Sequence, residues 1–214
     1  MANAEKPGSL QVPIRYWEDL ETAPMATLSR NALAVIHFPK ALVMPVLGRE
    51  ILIDMGNRSI KAMTEGGWKK LEYPLLELLV LVYLLHAKPE PLSRDLVSVK
   101  ELRTSHFFQG PHVLRVEPLA ERYGKDLKAF HLSAESLGGE AVDLADAAFR
   151  FAVFPRAPVY YLFWKGDEEF GPRVTVVFDR TIEKHLSADA IWGLVTLVTE
   201  ALLRAPRDPF WAGC

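Results

Sequence analysis

Three consecutive carboxylates, Asp167-Glu168-Glu169, sit between two apolar β-type runs and are the most informative chemistry-bearing stretch of the chain. Side chains alternate along an extended segment, so only one or two of the three can point the same way. Asp167 follows Gly166 and is a natural turn residue that bonds nearby backbone N–H groups. Glu168 or Glu169 is then free to face inward. An inward carboxylate against apolar walls has a raised pKa and suits general acid–base work or a hard metal ion. The competing reading is a solvated acidic tip, with one carboxylate paired to Arg173 or Lys165.

Two further constellations accompany it. Phe107-Phe108-Gln109-Gly110-Pro111-His112 places a histidine on a loop stiffened by a Gly-Pro turn, where it suits a ligand or proton-shuttle role. The plainer alternative is a surface histidine, one of six in the chain. Asp179 ends the run Val176-Val177-Phe178, with His185 a few residues on. Asp179 also suits a simple turn former for Arg180-Thr181, and His185 a packed residue before a helix. Asp143 and Asp146 have the same turn-forming alternative. Together Glu168, Glu169, Asp179 and His112 have the donor types for a divalent-metal site, provided the fold brings them together. Trp164 is the nearby aromatic that completes the candidate ligand-binding set of Asp167, Glu168, Glu169, Asp179 and His112.

Better-known catalytic signatures are missing. No GxGxxG opens a helix after a strand, and there is no P-loop, no HExxH and no GxSxG elbow. The only cysteine is Cys214, so this chain alone cannot ligate an iron–sulfur cluster or a four-cysteine zinc ion. The 25 basic and 27 acidic residues nearly cancel, and the arginines are scattered, which argues against a nucleic-acid partner. Met1 to Val12 is polar and lacks a hydrophobic signal region. The most apolar window, Pro74 to His86, is too short for a bilayer and contains Glu77. No membrane association is expected, and the expected location is the cytoplasm.

The elements around these residues predict an α+β fold with an antiparallel sheet, built from a meander and a C-terminal hairpin. About three to four helices pack on it, one of them central and apolar. Residues 1–12 read as a disordered leader and 13–214 as a single domain. A broken amphipathic helix is expected from Trp17 to Leu33, interrupted near Pro24. The meander uses ALAVIHF, ALVMPVLG and EILIDM, and Gly66-Gly67 ends it. Pro74 starts the central helix. A second helical region opens at Pro118, breaks at Gly124 and stops at Gly138-Gly139. VYYLFW and VTVVFD flank the acidic loop as a hairpin. Ser187 caps the last helix, whose inner face is Ile191, Leu194, Val195, Val198 and Leu202.

The order of motifs carries a resemblance. From about Val97 to Leu203 the chain resembles an uncharacterised family, domain of unknown function 3786, found in anaerobic bacteria and archaea. The matching stretches are VSVKEL, FFQGPH (107–112), PLAERYG (118–124), LGG (137–139), FPRAPVYYLFWKGDEEF (154–170), VVFD (176–179) and HLSADAIWGL (185–194). LGRE (47–50) resembles the N-terminal portion of the family. The resemblance implies no established activity. It marks Gly166, Asp167, Glu168, Glu169, Phe170 and Asp179 as the recurring polar signature, with His112 typical of one subgroup. Some members carry a cysteine-rich iron–sulfur segment, which implies a link to anaerobic corrinoid or one-carbon metabolism. With Cys214 alone, any cluster here would belong to a metallocofactor protein partner. Three functions follow as alternatives. They are an accessory or ligand-binding domain, a metal-assisted enzyme at the 165–180 hairpin, and an acidic hairpin that is purely structural. The exposed aromatic candidates for the first are Trp164, Phe107, Phe108 and Trp211.

Overall fold

The computed structural model describes residues 10–205. Most of the expected 1–12 leader, together with Trp211 and Cys214, lies outside the described residues. The chain opens with α1 (Arg15–Thr22) and α2 (Met25–Ala32). Pro24 is extended between them (φ −63°, ψ 116°), because its ring forbids a continuous helix there. Five strands follow: β1 (Val35–Phe38), β2 (Ala41–Val46), β3 (Arg49–Asp54), β4 (Ser59–Thr64) and β5 (Gly67–Lys70). They form one antiparallel meander in the order β1-β2-β3-β4-β5. The meander runs past the expected stop at Gly66-Gly67. Those glycines form a turn instead, with Thr64 opposite Gly67 and Gly67 at φ +99°.

Next comes α3 (Pro74–His86), apolar almost all round and buried from Leu79 to Leu84. It is the central helix, touching α1 and α2. Trp17 of α1 donates its indole N–H to Glu77 Oε1 at 2.9 Å, which gives the one acid of that helix a partner. A short strand, β6 (Leu96–Ser98), and three 3-10 turns lead to α4 (Glu117–Tyr123) and α5 (Leu127–Ser136). The end of α5 is a Schellman stop: Gly138 adopts φ +73°, and Gly139 N–H bonds Ala134 O at 2.9 Å. Then follow β7 (Glu140–Ala141), β8 (Ala147–Phe154), β9 (Ala157–Trp164), β10 (Arg173–Asp179), α6 (Ile182–His185) and α7 (Ala188–Arg204).

The class is α+β, with the meander and the C-terminal hairpin both present. They occupy separate five-stranded antiparallel sheets, the second in the order β6-β10-β9-β8-β7. The β9–β10 hairpin recruits β6 on one side and β8 on the other, and so needs no pairing with the meander. Seven α-helices are present among the described residues, because the breaks at Pro24 and Gly124 each divide one apolar stretch in two and the four-residue α6 precedes the last helix.

The sheets share one buried core. Leu47 N–H reaches Ala152 O at 3.3 Å, and the Leu47-Gly48 turn lies on the Gly138 turn. A Cβ on Gly138 would stand 3.0 Å from Gly48 Cα, so the LGRE and LGG motifs meet backbone to backbone. The expected stripe of α7, Ile191 to Leu202, is buried. Tyr161 of β9 fastens it to the second sheet by donating to Val195 O at 2.9 Å. Each such large apolar side chain contributes roughly 1.5–3 kcal/mol when removed from water. Ser187 occupies the N-cap position in extended backbone but its side chain makes no cap bond. No helix among the described residues is long and apolar enough to cross a membrane.

Candidate functional site

The acidic loop is held from within. Asp167 Oδ1 accepts from Glu169 N at 2.9 Å and Phe170 N at 2.7 Å, and Asp167 N–H donates to Phe170 O at 2.8 Å. These backbone donors hold the Asp167 carboxyl below its usual range. Gly166 is required by space, since a Cβ there would lie 2.8 Å from Phe170 O. Pro172 closes the loop onto α4, where a Cβ on Gly124 would meet its ring at 2.4 Å. Glu168 and Glu169 both point outward and are exposed, as in the reading of a solvated acidic tip and not the one in which a carboxylate faces in. Neither forms an ion pair among the described residues. Arg173, the expected partner, instead lies 4.4 Å over the half-buried ring of Trp164. Hollows of about 690 and 560 Å³ flank the loop, and neither is bordered by Glu168 or Glu169.

Asp179 stands at the other end of β10, six residues from Arg173 and so about 20 Å along the strand. It is buried and fully engaged. Oδ1 accepts from Ser93 N, Ser93 Oγ, Thr181 N and Thr181 Oγ1 at 3.1, 2.9, 2.9 and 2.6 Å. Oδ2 accepts from Arg94 N at 2.7 Å. Burial alone would raise its pKa, but the Thr181 hydroxyl and these backbone donors outweigh it and lower the value. Asp179 therefore ties the 93–95 loop to the strand end. Asp146 does similar work, accepting from Lys165 N at 2.9 Å.

His185 is fully buried, and burial pushes its pKa down to about 4. Its Nδ1 accepts from Lys88 N at 3.3 Å, and its Nε2 has no partner among the described residues. Arg156 is also buried and donates to the carbonyls of Asn31 and Glu90. Glu168, Glu169, Asp179 and His112 thus do not converge on one metal position. No group of three or more metal-ligating side chains forms among the described residues.

His112 goes elsewhere, into a groove of about 840 Å³ between α3 and α7. From α3 the walls are Pro74, Leu75, Leu78, Leu79 and Val82. From α7 they are Asp189, Ala190, Trp192, Gly193, Thr196 and Glu200, which recur every three or four residues and so share a helix face. The end nearer the start of α7 is aromatic. His112 stacks on Phe107 (centroids 4.3 Å, 23°) and meets Trp192 edge-on at 6.1 Å. At the far end Tyr73 donates its hydroxyl to Glu200 Oε2 at 2.8 Å, and burial with that bond pushes the phenol up to about 12. Arg204 approaches the same Glu200 at 3.7 Å. Tyr16 of α1 and Leu10 complete the rim. Of the residues expected to form a site, this groove collects Phe107 and His112. Tyr16, Tyr73 and Glu200 carried no motif; Trp192 lies in the HLSADAIWGL stretch without having been an expected site residue, and the visible signal for Trp192 and Glu200 was a second periodic stripe on α7.

Residues 25–201 match the family described as Domain of unknown function (DUF3786). The chain belongs to this family. No curated protein and no solved structure matches it. The matched span contains both sheets, α3 and the groove face of α7, whereas Tyr16 and Leu10 lie outside it.

Proposed function

We propose that this is a ligand-binding domain whose site is the groove between α3 and α7, and that its ligand is a largely apolar small molecule. One observation carries the reading. A groove of about 840 Å³, walled by leucines and aromatic rings with a few polar groups at its ends, has the size and composition of small-molecule sites. The acidic hairpin supports the reading only indirectly, because Asp167 and Asp179 are occupied in holding loops.

The test uses the neutral dye Nile red, whose fluorescence rises in apolar surroundings. Wild-type protein should bind it saturably. Thr196→Trp, placing a large ring in the groove from a half-buried position on α7, should abolish that binding while leaving the unfolding transition in place. Unchanged dye binding in a folded Thr196→Trp protein overturns the proposal.

The wider setting we propose is an accessory role beside a metallocofactor protein in anaerobic corrinoid or one-carbon metabolism, which rests on the family resemblance alone. Affinity purification from an anaerobic host, with metal analysis of what co-purifies, tests it. Recovery of the domain without a reproducible metalloprotein counts against it.

A further inference from the structure

The charges on the rim of the groove are one-sided. Its carboxylates are Asp189 and Glu200, and among the described residues its walls contain no lysine or arginine and His112 is the one basic side chain. The two acids lie on one face of α7, eleven residues and so about 16 Å apart along the axis. They are not equivalent. Glu200 is engaged by the Tyr73 hydroxyl at 2.8 Å and by Arg204 at 3.7 Å, and the Arg204 guanidinium also lies 6.0 Å from the Tyr73 ring centre. Asp189 is exposed, with no hydrogen bond or ion pair of its side chain among the described residues. Its compensation is the N-terminal end of α7, in whose first turn it sits.

Asp189 also has the aromatic end of the groove beside it. Trp192 is three residues on, hence on the same face, and is fixed by its indole N–H, which donates to Val113 O at 3.4 Å. The Phe107–His112 stack stands against Trp192 from the 3-10 turns. Ring faces are electron-rich and attract cations, while an anion brought there meets both the ring faces and Asp189.

We infer that the ligand of this groove is an amphiphilic organic cation, with its apolar body along the α3 leucines and its ammonium-type group between Asp189 and the Trp192–Phe107 rings. This rests on the groove being a binding site, as proposed above. It goes further in fixing the sign of the ligand's charge and the end at which it sits. Asp189 selects by charge, and Glu200, held by Arg204, serves the far rim as a neutralised group.

Three probes with the same ten-carbon chain separate the two readings: decyltrimethylammonium, decanol and decanoate, each below its aggregation limit, competing with Nile red in low-salt buffer at pH 8. The cation should bind about tenfold more tightly than the anion, with decanol between them, the size of effect expected from one cation–π contact and one exposed ion pair. Asp189→Asn should remove most of the gap between cation and anion and leave decanol unchanged. The gap should also shrink in 0.5 M salt. If decanol and Nile red bind but decanoate binds as well as the cation, or Asp189→Asn leaves the gap intact, the charge assignment is overturned and the groove stands. If neither Nile red nor decanol binds, the groove reading itself falls.

Discussion

Replacing Asp179 with alanine removes five acceptor contacts at once, and their surroundings set the size of the loss. The Thr181 N–H and hydroxyl bonds, at 2.9 and 2.6 Å, lie in a buried turn. Stranding buried donors that faced a charged acceptor costs about 2 kcal/mol. Ser93 and Arg94 are exposed, so their N–H groups regain water, and losing their bonds costs about 0.5–1 kcal/mol each. Arg94 is left in a left-handed conformation (φ +63°) without the bond that holds it there. The expected destabilisation is about 3–4 kcal/mol, read from urea unfolding followed by circular dichroism at pH 7. Asp179→Asn keeps one carbonyl oxygen but turns an N–H₂ toward one of the donors, and should lose about half as much. The carboxyl's pKa is lowered in the fold, so its contribution is complete above the unfolded value near 3.8 and fades as pH falls through the folded one. The gap between wild type and Asp179→Asn should therefore narrow below pH 4. A loss under 1 kcal/mol for Asp179→Ala would refute this account of the residue as the tie between β10 and the 93–95 loop.

Other perturbations read different parts of the chain. His185 titrates near 6.5 when unfolded and about 4 when folded, so between those values the unfolded chain binds the extra proton and stability falls as pH drops. That interval caps the loss at about 3 kcal/mol; His185→Leu, compared by unfolding at pH 7 and pH 4.5, should lack that part of the slope. Gly138→Ala places a Cβ 3.0 Å from Gly48 Cα at φ +73° and should cost about 2 kcal/mol in urea unfolding; a neutral result would mean the two turns move apart freely. Glu168→Gln with Glu169→Gln should leave the melting temperature within about 2 °C, as expected for exposed side chains without partners. Asp167→Ala should speed hydrogen exchange at the Glu169 and Phe170 amides, and unchanged exchange would show that the loop does not depend on that carboxyl.

Much of the fold was legible because local chemistry and tertiary packing agree. The run Pro74 to His86 is apolar on every side and begins at a proline, so it has no stable place except as a buried helix. The β9–β10 pair was legible from two β-branched and aromatic runs around a glycine loop. β4 and β5 were not. They carry Lys61, Lys69 and Lys70, which dilute the apolar signal, and β5 lies at the open side of the sheet, where lysine discourages pairing with another chain. The outward direction of Glu168 and Glu169 was legible only as one of two alternatives, the solvated acidic tip. The choice between them depends on Pro172 closing the loop onto Gly124, more than forty residues earlier, and on Asp167 spending its carboxylate on the turn.

The groove shows how one helix can answer to two neighbours. The stripe Ile191, Leu194, Val195, Val198 and Leu202 on α7 met the usual expectation that apolar periodicity marks a core face. The second stripe, Asp189, Trp192 and Gly193, Thr196 and Glu200, mixes charge, a large ring and a glycine and resembles an ordinary solvated face. Glycine inside a helix is unfavourable by about 0.5–1 kcal/mol against alanine, so its presence there asks for a cause. The cause is α3: a Cβ on Gly193 would lie 3.3 Å from Leu79 and 3.5 Å from Leu75. Both leucines line the groove, so the missing methyl lets α3 approach α7 at its floor while Trp192 and His112 hold the rim above. The same close contact that packs the two helices therefore shapes the concavity, and the residues that looked least like core on α7 are the ones that define it.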